Sequence, residues 1–376
     1  MTTVYLDHAA STPMSDEALA TFGELAGQVG NASSLHGSGR GARKVVEESR
    51  ERVAAALGAH PTEVIFTSGG TEADNLAIKG VAWAARAADP GRARVLVSAV
   101  EHHAVLDPAH WLGNDQGFEV REAPVDADGR LLPLELGAED ALVSVMWANN
   151  ETGALQPLAD VVEAAHAAGA IVHTDAVQAV GSVPVHFALS GVDAMTVSGH
   201  KLGGPIGVGV LVARRGLALT EVNHGGGQER ARSGTLNPPA IGAFAVAVEA
   251  AVRDQAAYAR RAVRLRDDLT HGILRAVPDA ILNGGGDRLP THAHLTFPGC
   301  AGDDLLLLLD AMGVEVSTGS ACTAGVPQPS HVLLAMGRSE ADARSSLRFS
   351  LGRTSTASDV DRAVAATTAA VNRLRN

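Results

Sequence analysis

The chain has 376 residues, 46% of them hydrophobic and 19% charged, with a formal net charge of -12, which predicts a globular protein and excludes the disordered and fibrous classes. Two cysteines in such a length cannot form a disulfide framework, and the acidic balance argues against a direct nucleic-acid partner. The first residues, Met1 to Pro13, have no basic stretch ahead of an apolar run, and no uncharged apolar run approaches about 18 residues, so a cytoplasmic chain with no membrane span is expected.

Short apolar runs that end in polar or glycine-rich turns predict buried strands over 64–67, 94–100, 141–147, 170–174, 194–197 and 207–213. Alanine-rich helical patterns over 72–88 and 158–168 separate several of them, the second stopped by Gly169. Strand, helix, strand implies an α/β fold with a mainly parallel sheet. From Pro238 to about Val277 the pattern is one long helix that bridges two domains, with Arg260, Arg261, Arg264 and Arg266 on a polar face. A strand over 294–297, a helix over 303–312, a strand over 314–317 and a final helix from Ser358 predict a smaller α+β domain. We expect a large domain over 15–255 and a small one made of 1–14 and 256–376.

Three strand ends carry chemistry. Phe66-Thr-Ser-Gly-Gly-Thr-Glu72 is a strand, a glycine turn and a helix start, where backbone N–H groups and the Thr71 hydroxyl suit an anion; a turn with no ligand is an equal reading. Val172-His-Thr-Asp175 delivers a carboxylate at a strand end, either to hold a pyridinium nitrogen protonated or simply to cap the next helix. Ala194 to Lys201 ends in Ser198-Gly-His-Lys, which suits a Schiff-base lysine beside a cofactor phosphate. The anion turn, the acid and the lysine occur in the order that a single cofactor pocket needs. A metal site built from Glu101-His102-His103 with His110 is not expected, because adjacent histidines on a strand point to opposite faces. Cys300 reads as a buried, inert thiol, whereas Cys322 is set among small residues in Ser317-Thr-Gly-Ser-Ala-Cys-Thr-Ala-Gly.

Across nearly its whole length the chain resembles the cysteine desulfurases, within the class V aminotransferase group of fold-type I pyridoxal-phosphate (PLP) enzymes. The resemblance runs through Tyr5-Leu-Asp-His-Ala-Ala, Gly30-Asn-Ala-Ser-Ser-Leu-His, Thr67-Ser-Gly-Gly-Thr-Glu, Glu101-His-His-Ala-Val-Leu, Asn149-Asn-Glu-Thr-Gly, Asp175-Ala-Val-Gln, Ser198-Gly-His-Lys, Gly225-Gly-Gly-Gln-Glu-Arg, Arg232-Ser-Gly-Thr and Arg348-Phe-Ser-Leu-Gly-Arg. It implies a fold-type I architecture with a large cofactor-binding domain and a small domain that carries the cysteine loop. By resemblance, Lys201 bears the PLP, Asp175 faces its ring nitrogen, and His102 stacks on the ring. Gly70, Thr71, Ser198 and His200 surround the phosphate, Asn150 and Gln178 contact the ring, and Thr235 reaches the phosphate of the other subunit of a homodimer. Arg348 with Asn31 holds the substrate carboxylate, a task that suits the guanidinium fork.

Cys322 matches the family's nucleophile, so the resemblance implies conversion of L-cysteine to L-alanine, with a persulfide on Cys322 for acceptors in iron-sulfur cluster assembly or tRNA thiolation. His102 or the Lys201 amine would move the α proton. The chain departs from the common pattern at Ala32, where proline is usual, at Ile206, where lysine is frequent, and in ending soon after Arg375. The alternatives are a selenocysteine lyase or another class V enzyme, and a non-catalytic adaptor of sulfur assembly.

Overall fold

The computed structural model describes residues 3–319 and 328–376. Seven strands form the main sheet: β1 (Val64–Thr67), β2 (Arg94–Ser98), β3 (Glu119–Ala123), β4 (Asp140–Ser144), β5 (Ile171–Asp175), β6 (Ala194–Ser198) and β7 (Gly209–Ala213). Their spatial order is β1, β7, β6, β5, β4, β2, β3. Strands β2 to β6 pair parallel, and β7 runs antiparallel to β6 and β1. The α/β class and the mainly parallel sheet are therefore as expected.

Successive strand side chains point to opposite faces, so each strand feeds two apolar layers. Phe66, Leu96, Val143 and Met195 pack into one layer, while Ile65, Val95, Leu142 and Leu211 pack into the other. Helices α1 (Gly70–Ala88) and α2 (His103–Gln116) cover the second layer, and α3 (Leu158–Ala167) covers the first. Burial on both faces explains why six of these strands read as continuous apolar runs. Strand β3 escapes that signal because it is an edge strand with Glu119, Arg121 and Glu122 exposed, charges that also discourage pairing with another chain.

The long helix α4 spans Pro238–Ala276, close to the expected limits. At about 1.5 Å per residue its 39 residues reach about 58 Å, enough to serve two cores. Ile241, Phe244 and Val248 pack under the main sheet. Leu265, Leu269 and Ile273 pack with Val4, Leu6, Phe297 and Phe349 around an antiparallel sheet of β8 (Ile281–Asn283), β9 (His292–Thr296) and β10 (Ser346–Ser350). Arg266 does not belong to the polar face assigned to it: it is 8% exposed, and its Nη1 donates to the Leu289 carbonyl at 3.0 Å. Among the described residues no helix is long and apolar enough to cross a membrane.

Candidate active site

Strands β1, β5 and β6 point the same way, so their C-terminal ends meet at one edge of the sheet, the edge where open α/β sheets bind ligands. From β1 the chain turns through Gly69, whose φ of 152° requires glycine. Gly70 opens α1, and a Cβ there would lie 3.3 Å from Val177 Cγ2 and 3.5 Å from Ser198 Cβ, crowding the space in front of the helix. Among the described residues no side chain caps this helix, which leaves its first amides to an anion. Ser198, the last residue of β6, brings a buried Oγ to the same place, with no partner among the described residues. An uncapped helix start and an orphaned hydroxyl fit a phosphate.

A single 3-10 turn, Gly199–Lys201, follows β6 and presents His200 and Lys201. Lys201 Nζ donates to the Ala10 carbonyl at 2.8 Å and also to that of Ala9, and Gln178 Nε2 donates to the Ala9 carbonyl at 3.0 Å. The N-terminal segment thus crosses the site: Val4 and Leu6 anchor it in the small core, and Ala9 and Ala10 meet the lysine. Burial, and then the Lys201 charge, lowers His200 to about 4.

Asp175, the last residue of β5, has Oδ1 accepting from the Val177 N–H at 2.8 Å. Burial raises its carboxyl to about 6, with that bond and Lys201 opposing the rise. Asp74, one turn into α1, lines the same cavity, and burial with the neighbouring Asp175 charge pushes it well above the usual range. Glu101 is also buried and raised, and it accepts from the Met146 N–H at 2.5 Å. Two carboxyls that line one cavity, Asp74 and Asp175, with Glu101 buried close enough to raise Asp74, favour a cationic group beside them, as a protonated ring nitrogen would be.

A raised carboxyl favours the folded state below its unfolded value, and that contribution is lost as pH climbs through about 6. In the cofactor-free chain, Asp175→Asn should therefore gain stability over the parent between pH 4 and pH 7, by up to about 3 kcal/mol. Denaturant unfolding across that range measures it, and a constant difference would refute it.

His102 and His103 lie at a helix start, not on a strand as supposed: His102 is the N-cap of α2, and His103 is its first residue. The Ala104 N–H donates to His102 Nδ1 at 3.1 Å, which leaves the proton of the neutral ring on Nε2. Burial first, then the Lys201 charge, lowers His102 to about 4, so the ring is neutral at pH 7. His103 bonds to Asp107 at 3.1 Å instead.

Arg348 comes from β10, which has no expected counterpart because Ser346, Arg348 and Ser350 break its apolar pattern. Its Nη2 donates to Asp7 Oδ1 at 2.7 Å and its Nη1 to the Asn150 carbonyl at 2.9 Å. Its Nε is buried without a partner among the described residues.

One cavity of about 320 Å³ gathers Gly70, Thr71, His102, Asn150, Asp175, Gln178, Ser198, His200, Lys201 and Arg348. Asn31 and Thr235 are exposed and do not line it. Cys322 lies outside the described residues, three positions after Gly319, which does line it. Asp7 and Asp74 also line the cavity and were missing from the candidates. Asp74 could have been sought one helical turn after Gly70, whereas Asp7 carries no comparable local signal. Cys300 is 1% exposed, in the small core, as expected for an inert thiol.

The family model for class V aminotransferases (Aminotransferase class-V) matches residues 4–363. An IscS-like cysteine desulfurase of Mycobacterium tuberculosis is 52% identical over 99% of this chain and 97% of its own length. The chain belongs to the cysteine desulfurases. The family relationship extends to a cysteine desulfurase IscS of Methanosarcina thermophila, 42% identical over 99% of this chain and 93% of its own length. Among solved structures, a NifS-like protein superposes with a TM-score of 0.91 at 33% identity, covering 99% of this chain and 100% of the other. As a class V member, the chain has the fold of a PLP enzyme family.

Proposed function

We propose that the chain binds PLP on Lys201 and converts L-cysteine to L-alanine, taking the sulfur as a persulfide on Cys322. The observation that carries this reading is the single cavity that unites Lys201, Asp175, His102 and Arg348 with Gly319, three residues before Cys322. A solved relative described as SspA in complex with cysteine, 31% identical with a TM-score of 0.80 over 93% of this chain, supports cysteine as substrate.

PLP, when bound, supplies an electron sink at the substrate's α carbon. Asp175 would face its ring nitrogen and His102 its ring, while Asn150 and Gln178 would contact the ring's substituents. The first amides of α1, with Gly70, Thr71, Ser198 and His200, would hold its phosphate, and Thr235 would reach the phosphate of the second subunit in a homodimer. Arg348, aided by Asn31, would bind the substrate carboxylate. Asp7 and the Asn150 carbonyl orient its guanidinium, so little rotamer freedom is lost on binding. The Lys201 amine, once released, is the group to move the α proton, because the Ala104 N–H already occupies the basic nitrogen of His102. The Cys322 thiolate would attack the substrate sulfur: a sulfur–sulfur bond forms, the carbon–sulfur bond breaks, and its electron pair returns to carbon, which takes up a proton to become alanine. The persulfide would pass, in the cytoplasm, to an iron-sulfur scaffold or a tRNA-thiolation carrier.

The test is equal release of alanine and sulfide from L-cysteine by the PLP-loaded protein under a reductant. Alanine without sulfide, or neither, would overturn the reading. Arg348→Lys should raise the KM for cysteine about tenfold or more, as loss of a bidentate charged contact costs roughly 1.5–3 kcal/mol. Steady-state kinetics with the cofactor spectrum as control checks this, and an unchanged KM would remove Arg348 from the carboxylate site.

A further inference from the structure

Glu151 lies in the turn between β4 and α3, 2% exposed, and plays no part in the chemistry above. Asn149 Oδ1 accepts from the N–H groups of Glu151 and Thr152 at 2.9 Å each, which locks the turn. The Glu151 carboxyl then meets the chain at two separated places. Ser330 Oγ donates to Oε2 at 2.5 Å, and Ser330 also caps the helix His331–Ala335 by accepting from the Leu333 N–H at 3.1 Å. Gly319, at φ 83°, packs so closely that a Cβ there would lie 2.9 Å from the same Oε2.

On a third side, Asn283 Nδ2 donates to His294 Nδ1 at 3.1 Å, so the neutral ring carries its proton on Nε2, which faces Glu151 Oε2 at 3.9 Å. Burial pushes the Glu151 carboxyl up, and the Ser330 hydroxyl and the charges of His331 and Arg348 oppose the rise. A core glutamate with no ion pair nearer than 3.9 Å among the described residues is costly to keep, and an apolar residue would pack there more cheaply. Among the described residues, the carboxyl's one short side-chain contact is Ser330, and the close approach to it is Gly319. These two residues bracket the stretch that carries Cys322, and three residues of chain from Gly319 reach at most about 10 Å.

We propose that Glu151 is a positioning residue: by seating Gly319 and Ser330 on one carboxyl, it sets where the Cys322 stretch is tethered relative to Lys201 and Arg348. The inference rests on the proposed role of Cys322. Misplacing a reacting group by about 1 Å costs up to roughly a hundredfold in rate, so the tether is felt in sulfur transfer and not in cysteine binding.

In the PLP-loaded protein, Glu151→Ala should lower kcat for sulfide release about tenfold or more, with the KM for cysteine and the cysteine-induced change in the cofactor spectrum held within about twofold. Glu151→Gln, whose amide oxygen still accepts from Ser330, should retain most of the rate. Ser330→Ala, a milder change in case Glu151→Ala folds poorly, should move kcat in the same direction as Glu151→Ala. In the cofactor-free protein, iodoacetamide should alkylate Cys322 at a rate altered at least about threefold by Glu151→Ala. Parental kcat in both Glu151→Ala and Ser330→Ala would overturn the inference, as would losses spread equally over kcat, KM and the spectral response, which mark general destabilisation. Sulfide release that survives Cys322→Ala would instead overturn the reading on which the inference rests.

Discussion

Lys201→Ala, loaded with PLP, should show the absorbance of the free aldehyde in place of that of a lysine-bound cofactor, and sulfide release should fall about a thousandfold or more. The expectation comes from the lysine's surroundings. Nζ is held by the carbonyls of Ala9 and Ala10 at the C-terminal edge of the sheet, within the cavity that holds Asp175, His102 and the uncapped start of α1. The phosphate and ring contacts proposed for PLP do not involve Nζ, so the variant should still bind the cofactor, but without a covalent bond. Borohydride reduction followed by mass measurement separates the cases: the parent gains the mass of the reduced cofactor, and the variant does not. A variant that still gains it would place the covalent bond on another lysine.

Cys322→Ala should keep the lysine-bound absorbance and its change on adding cysteine, yet release no sulfide above background, a loss of about a thousandfold or more. Removing the nucleophile leaves Lys201, Asp175 and Arg348 intact, so substrate should enter and bind while its carbon–sulfur bond stays unbroken. Cys300→Ala is the control. Cys300 is packed with Phe297 and Leu305 in the small core and lies outside the cavity, so its loss should leave turnover near the parental value. Retained turnover in Cys322→Ala, measured as sulfide and alanine together, would reject Cys322 as the group that takes the sulfur, whereas sulfide accompanied by pyruvate instead of alanine would mark a simple elimination.

The strand ends that carry Asp175 and Ser198 were legible because a fully buried parallel strand writes itself as an apolar run and stops where the chain meets solvent or ligand. The glycine turn before α1 was legible for a related reason: close approach and positive φ demand glycine whatever surrounds it. Strand β3 was not, since an edge strand trades its apolar pattern for charge. Strand β10 was not either, because its buried polar residues Ser346, Arg348 and Ser350 interrupt the apolar run and imitate a loop. His102 was placed on a strand, although its imidazole caps a helix, a role in which serine, threonine, aspartate and asparagine are the usual signals.

By itself the sequence determined the α/β class, the order of anion turn, acid and lysine, and, through its family motifs, the residues brought to one cavity, since each rests on a local pattern of a few residues. Only the tertiary structure decided that Asp7, 341 positions away in sequence, holds Arg348, that the carbonyls of Ala9 and Ala10 meet Lys201, and that Glu151 touches both Gly319 and Ser330. Such contacts join segments that share no periodicity, and they exist only once the long helix and the two cores have fixed where those segments lie.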